Sequence, residues 1–381
     1  MTLSKYHLAL AILMIVTGSF NTLSVKYADI QTANGEDGVP RHFVHPFMQS
    51  SFMFFGEMLC FLTFKLVYFY YYRKGDGSVD TNALTKGSRV FNPFLLCLPA
   101  LCDTLATSVM YVGLNLTYAS SFQMLRGAVI VFTGILSMGF LNRKLVTREW
   151  AGITFVITGL ALVGISDIMT MEDTNMNVNS ILSGDLLIIC AQVIQAVQMV
   201  LEEKFVAGQD IPALQAVGWE GIFGFIIICL VMIPLNFVPA LPPFADNSQG
   251  TLEATKDAFI QIYNNGRLFT AIVCIAFSIA FFNFAGISVT KEISATTRMI
   301  LDNIRTFFIW GFSLLVRWQK FHYLQLIGFF VLLIGMFYYN NIVLPQLIKK
   351  CYCRLGRHKL PSKEDEENII NTAADDVHES N

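Results

Sequence analysis

Ten stretches of about twenty mainly apolar residues recur along the 381-residue chain, at roughly 6–25, 47–71, 93–114, 120–141, 149–168, 184–203, 214–238, 268–288, 293–316 and 322–346. A helix needs about 20 such residues to cross a hydrocarbon core of about 30 Å, so a chain of this pattern can fold only by spanning a bilayer many times. Composition agrees: 54% of residues are hydrophobic and 14% charged, far from the balance of a soluble domain. The sequence therefore predicts an all-α polytopic membrane protein with ten transmembrane helices. A cleaved signal peptide is an alternative reading of the first run, because Lys5 precedes it and Gly18 and Ser19 follow. The polar residues Thr17, Asn21, Thr22 and Ser24 instead continue the pattern of a packed helix, and cleavage would leave an odd number of spans.

An even number of spans puts both termini on one side, and Lys and Arg show which. With the termini cytoplasmic, inner loops and tails carry 16 of them, while outer segments carry only Lys26, Arg41, Lys256, Arg267, Arg317 and Lys320. Six cysteines, Cys60, Cys97, Cys102, Cys190, Cys229 and Cys274, lie inside apolar runs without metal-ligand spacing, so they read as small packing residues. No Walker motif, nucleophile elbow, HExxH or dinucleotide fingerprint occurs. Neither ATP-driven pumping nor enzymatic chemistry is expected, no cofactor or metal is called for, and no nucleic-acid partner is expected.

Displacing the chain by 176 residues aligns Ala119 with Ala295, Leu125 with Leu301, Phe132 with Phe308, Ser137 with Ser313, Lys144 with Lys320, Gly152 with Gly328 and Gly159 with Gly335 without a gap. The paired glycines, seven apart in each half, would lie on one helix face and permit close backbone approach. Because five spans per half is odd, the halves would be inverted: a first repeat over 1–170, a second over 181–348, and a cytoplasmic tail over 349–381.

Four stretches carry a family resemblance: YVGLNLTYASSFQMLRGAVIVFTGILSMGFLNRKLVTREWAGI (111–153), GDLLIICAQVIQAVQMVLEEKFV (184–206), FFNFAGISVTKEISATTRMILDNIRT (281–306) and NTLSVKYAD (21–29). Together they resemble solute carrier family 35, subfamily F, of the drug/metabolite transporter superfamily. The resemblance implies a ten-helix transporter fold of two inverted repeats with cytoplasmic termini and alternating access. The wider family includes nucleotide-sugar carriers, so it implies a nucleotide-linked cargo, while the cargo's identity does not follow.

The ninth run is apolar yet carries Arg298, Asp302 and Arg305. A charge at the bilayer centre costs about 2.5–3.5 kcal/mol on insertion scales, so all three must face the bundle interior or water. Spacings of four and three place them on one helix face. One reading is an ion-paired ladder that locks the helix to its neighbours. The other is a cavity wall in which one carboxylate cannot neutralise two guanidiniums, leaving positive charge for an anionic cargo. In the fourth run Gln123 and Arg126 are three apart, and the 176-residue offset sets Arg126 opposite Asp302, as a strut or as a ligand. Glu57, Asp103 and Glu220 add carboxylates in other spans, each a candidate proton carrier or a paired structural residue, and Gln49 adds a polar amide in the second span. The substrate-path candidates are thus Glu57, Asp103, Gln123, Arg126, Arg298, Asp302 and Arg305. Gln192, Gln195 and Gln198 can line the same path or serve as interhelical glue, and the Glu202–Lys204 stretch reads as an interface anchor.

Beyond Lys349 the chain becomes a basic, cysteine-containing juxtamembrane patch suited to anionic headgroups, then an acidic polar tail. Within it Asp365, followed by Ile369 and Ile370, resembles an acidic di-leucine sorting signal, which would be gripped by a sorting adaptor. A lysosomal membrane is expected, with Golgi or mitochondrial membranes as alternatives. The leading functional expectation is a secondary transporter of a small anionic metabolite. The alternative is a membrane scaffold that retains the fold and acts through a partner, such as a mitochondrial carrier component.

Overall fold

The computed structural model describes residues 5–74, 82, 84–114, 116–117, 122, 124–140, 145–170, 178–239, 247, 249–316 and 323–339. Helix α1 spans Lys5–Asp29, α2 Pro46–Lys74, α3 Cys97–Leu114, α4 Val129–Phe140, α5 Thr147–Thr170, α6 Val178–Glu202, α7 Ala213–Leu235, α8 Thr255–Asn264, α9 Gly266–Glu292, α10 Ala295–Leu315 and α11 Tyr323–Tyr339. Seven of the described helical stretches, from α1, α2, α3 with its leading turn, α5, α6 with its trailing turn, α7 and α9, are long and apolar enough to cross a membrane. Arg126–Phe140 and α11 are apolar but shorter, and α10 has the length but carries Arg298, Asp302 and Arg305.

The helices are polar-inward, as lipid as solvent demands. On α1 the outward stripe is Leu8, Ile12, Val16 and Phe20, whereas the buried stripe contains Gly18, Asn21 and Ser24. With lipid as apolar as leucine, helices associate through small residues and polar contacts rather than through the hydrophobic effect. Asn21 accordingly donates to the Ile275 carbonyl at 3.1 Å and to Ser278 Oγ at 3.0 Å, tying α1 to α9. The α5–α11 crossing is made by the glycines of the two apolar runs. A Cβ on Gly159 would sit 2.8 Å from the Gly328 carbonyl oxygen, and one on Gly335 would sit 2.8 Å from that of Gly152. Any side chain at these positions would push the helices apart.

Other extensive helix pairs are α2 with α7 and α9, α1 with α9 and α10, α3 with α6 and α7, and α6 with α4. A smaller contact joins α4 to α10.

Two of the segments between the apolar runs are structured. Between α1 and α2 an antiparallel hairpin pairs β1 (Thr32–Asn34) with β2 (Pro40–His42), Thr32 opposite His42. Its turn places Gly38 at φ +74°, a left-handed conformation that favours glycine. The 239–267 segment contains α8, whose Ala258 and Ile262 join the core formed by Ala28, Phe43, Phe47 and Ile228. Asn265 caps α9, its Oδ1 accepting from the Arg267 and Leu268 backbone amides while its Nδ2 donates to the Thr32 carbonyl. The hairpin and α8 therefore form one unit over that end of the bundle.

Candidate functional site

Polar side chains from six helices converge on an internal cavity of about 560 Å³. It runs from the hairpin end, where Lys26, Asp29, Phe43 and His45 line it, to Arg298 in the first turn of α10. Glu57, Asp103, Arg126, Arg298, Asp302 and Arg305 all lie on its wall, as do Gln49, Gln192, Gln195 and Gln198. Gln123 lies outside the described residues, and so do Asp365, Ile369 and Ile370.

The spacing on α10 predicts a ladder in which Arg298 meets Asp302, and the structure corrects it. Arg298 is ion-paired with Glu202 at the end of α6, both groups being almost fully buried. Glu202 is thus no interface anchor. Its carboxylate also accepts from Gln198 Nε2 at 2.8 Å, and Gln198 accepts from Gln195 Nε2 at 2.6 Å, so a polar chain runs along α6 toward Arg298. A π-turn over Glu203–Ala207 follows directly. It lets the neighbouring Glu203 face differently, and its carboxylate accepts from the Ala295 amide at 3.1 Å. An anion at the N-terminus of α10 complements the helix dipole. The signal that points to Glu202 is the stripe Gln195, Gln198, Glu202 at spacings of three and four.

Further along α10, Asp302 binds Arg305 at 2.7 Å and Arg126, across from the turn before α4, at 3.6 Å. Arg305 donates to the Gly18 carbonyl and to Thr22 Oγ1, each at 3.0 Å, and lies over the Phe282 ring at 4.9 Å. Arg126 differs from the other two. Its side chain is 23% exposed, its bridge is long, and its guanidinium sits 6.0 Å from the Phe122 ring centre. On the opposite wall Asn283 donates to Glu57, and Gln49 Nε2 donates to Asp29 at 2.7 Å.

Glycines make room for the two buried guanidiniums. A Cβ on Gly286 would lie 2.8 Å from Arg298 Nε, and one on Gly18 would lie 2.5 Å from Arg305 Cδ. Gly286, Phe282 and Asn283 are not singled out by the sequence, since nothing local distinguishes them from packing residues.

The hairpin end has its own charge cluster. His45 Nδ1 contacts Glu253 Oε1 at 2.6 Å, and its Nε2 lies 3.6 Å from Asp257 Oδ2. Burial opposes the charged imidazole, but hydrogen bonds to Asp257 and Glu253 and their charges outweigh it, holding His45 at about 9. The same His45 contact, aided by the Glu36 amide and Gln261, lowers Asp257 to about 2. This cluster joins the start of α2 to α8.

The family model described as Nucleotide-sugar transporter matches residues 2–238. Solute carrier family 35 member F6 of Pongo abelii and that of Homo sapiens are each 49% identical over 96% of this chain and 96% of their own length. The UDP-galactose translocator of Canis lupus familiaris is 29% identical over 161 residues, 41% of this chain and 37% of that one. A solved protein crystal structure superposes with a TM-score of 0.55 at 13% identity, covering 90% of this chain and 99% of that one, a likeness of fold.

Proposed function

This chain belongs to the nucleotide-sugar transporter family, within solute carrier family 35, and on that footing we propose that it is a secondary active transporter of a small anionic, nucleotide-linked metabolite. The observation that carries this reading is the cavity. Its volume of about 560 Å³ falls within the range of about 300–1,000 Å³ typical of small-molecule sites, and it is walled by charges inside an otherwise apolar bundle. Arg126 is the guanidinium best placed to meet a phosphate, because its hold on Asp302 is long and its side chain is partly exposed. Phe122 and Phe282 supply aromatic faces for a base.

The mechanism in this reading is alternating access between two inverted five-helix repeats, 1–170 and 181–348. The packing supports it. Exchanging α1 with α6, α2 with α7, α3 with α9, α4 with α10 and α5 with α11 turns the α1–α9 pair into α6–α3, α2–α9 into α7–α3, and α1–α10 into α6–α4. The pairs α5–α11, α2–α7 and α4–α10 map onto themselves. Both termini then face the cytoplasm, the hairpin end faces outward, and the Arg298–Glu202 pair closes the inner end. The tail directs the protein to the lysosomal membrane through an adaptor that grips Ile369 and Ile370. Their replacement by Ala should shift the protein to the cell surface in imaging, and an unchanged distribution would return Golgi and mitochondrial membranes to first place.

The test is counterflow in proteoliposomes preloaded with nucleotide sugars or nucleoside monophosphates. Uptake of at least one is expected, and Arg126→Gln should cut it by about tenfold or more, the cost of one charged hydrogen bond. No counterflow across the panel with folded protein would favour the scaffold reading, in which a partner such as a mitochondrial carrier component is engaged.

A further inference from the structure

The cavity region holds more carboxylates than guanidiniums. Glu57 on α2, Asp103 on α3, Glu202 on α6 and Glu220 on α7 interact with one another across the space beside Arg298. Asp302 on α10 is a fifth carboxylate, and Arg126, Arg298 and Arg305 are the three guanidiniums that face them. Arg298 is committed to Glu202, while Asp302 takes both Arg305 and Arg126. Among the described residues no ion pair remains for Glu57, Asp103 or Glu220.

These three are also poorly served by hydrogen bonds. Asn283 on α9 donates to Glu57, and Thr107 to Asp103. Glu220 is only 7% exposed, and its Oε1 has no hydrogen-bond partner among the described residues. Its neighbour Gly221 abuts the Glu57 and Met58 backbone, so the α2–α7 crossing holds Glu220 beside Glu57. The thiols of Cys60 and Cys102 flank Glu57 and Asp103, and Lys26, Asp29 and His45 stand at the far, hairpin end of the cavity. No group of three or more His, Cys, Asp or Glu side chains among the described residues has metal-ligand geometry, so the carboxylates share a field without forming a cation cage. Unpaired carboxylates at bilayer depth repel one another, and the buried Glu57 and Glu220 are in addition poorly solvated, so a proton on each removes the repulsion and, at those two, the desolvation penalty.

We propose that Glu57, Asp103 and Glu220 form a proton-binding site that couples entry of the anionic cargo to protons. The proposal rests on the transporter reading and deepens it. With all five carboxylates ionised the region carries two net negative charges and repels an anion. With Glu57, Asp103 and Glu220 protonated, two carboxylates face three guanidiniums, and the single positive charge left over attracts one. Each proton arrives from cavity water, sits on a carboxylate oxygen, and returns to water when the cargo leaves, so cargo and protons travel together.

The site is tested without the cargo by infrared difference spectroscopy of the full-length protein in lipid nanodiscs, titrated from about pH 5 to about pH 10, well past the range of ordinary carboxyls. The wild type should keep a protonated-carboxyl C=O band at about pH 7. Glu220→Gln should weaken the band, and Glu57→Gln with Glu220→Gln should weaken it further. No such band in the wild type overturns the proposal, whatever the variants' folding. Loss of the band on adding sodium at constant pH also overturns it, in favour of a metal-cation site. An inward proton gradient should then raise uptake of a counterflow substrate at least about tenfold, as a proton-linked shift of more than one pH unit allows. A gradient without effect on a protein that performs counterflow overturns the coupling but leaves the transporter reading intact. A band without any counterflow overturns the transporter reading but not the proton site.

Discussion

Arg298 in the first turn of α10 is ion-paired with Glu202 at the end of α6, and both side chains are nearly sealed from solvent. The pair ties α10 to α6 at one end of the cavity. Taking two charges out of water is costly, and the pair is stable only because the Gln195–Gln198 chain and the space left by Gly286 complete its surroundings. Removing one partner leaves the other as a buried, uncompensated charge.

Single replacement of Arg298 or Glu202 by Ala should therefore cost about 3–5 kcal/mol, read as lower thermal stability in detergent and lower expression. The reciprocal exchange, Arg298→Glu with Glu202→Arg, should recover a substantial part of that loss. An exchange of Arg298 with Asp302 should not recover it, because Asp302 is already held by Arg305 and Arg126. Recovery by the Asp302 exchange alone would show that the ladder within α10, and not the tie to α6, is the stabilising contact.

The cluster at the hairpin end predicts a pH window. His45, raised from 6.5 to about 9, contributes stability that is fully present below its unfolded value and fades as pH rises through about 9. Asp257, lowered from 3.8 to about 2, contributes stability that is present above its unfolded value and fades as pH falls through about 2. Both contributions are complete between those two unfolded values, near pH 4 to 6.5, and His45's weakens progressively on the alkaline side. Amide exchange in α8, corrected for the intrinsic rate, should accelerate between about pH 7 and about pH 9.5 in the wild type. In His45→Gln, protection should be low throughout and flat across that interval. A wild type whose protection does not change would mean that the imidazole is not the latch.

What the sequence conveys and what it withholds divide along physical lines. Bilayer length and apolarity are local properties, so the long runs of α1, α2, α7 and α9 can be read one window at a time, as can the charges of α10. Aligning the chain on itself at a 176-residue offset sets Arg126 against Asp302, a pairing no local window can suggest, and the two side chains stand 3.6 Å apart. The partner of Arg298 is not legible that way. Glu202 lies 96 residues earlier in a segment that looks like a helix end, and the following π-turn gives Glu202 and Glu203 different tasks. Helix α8 is missed for another reason: ten residues with polar Thr255, Lys256 and Gln261 among apolar ones resemble a loop until the core they cover is known. The three-residue spacing of Gly218, Gly221 and Gly224 was available as a signal for the α2–α7 crossing, where they meet Phe61, Met58 and Phe54.

Gly18 offers the sharpest test of how Arg305 is held. A Cβ there would lie 2.5 Å from Arg305 Cδ and 2.6 Å from Phe282 Cδ2, and the Gly18 carbonyl is itself one of the acceptors for Arg305. Neither neighbour can yield freely, because the guanidinium is fixed by Asp302 and Thr22 while the ring is packed beneath it. Gly18→Ala should therefore destabilise the protein by about 1–3 kcal/mol, the usual cost of overpacking. Gly164→Ala on α5 is the matched control, since a Cβ there meets nothing within 4 Å. It should be neutral or stabilise by up to about 1 kcal/mol, from helix propensity alone. Combining Gly18→Ala with Arg305→Lys, which keeps the Cδ methylene and a charge for Asp302 but loses the planar head that pins the stem to the Gly18 carbonyl and Thr22, should let the stem shift away and recover part of the loss in a thermal-stability assay. If the double variant is as unstable as the sum of its parts, the strain is borne by Phe282 instead, and Phe282→Leu becomes the change expected to relieve it.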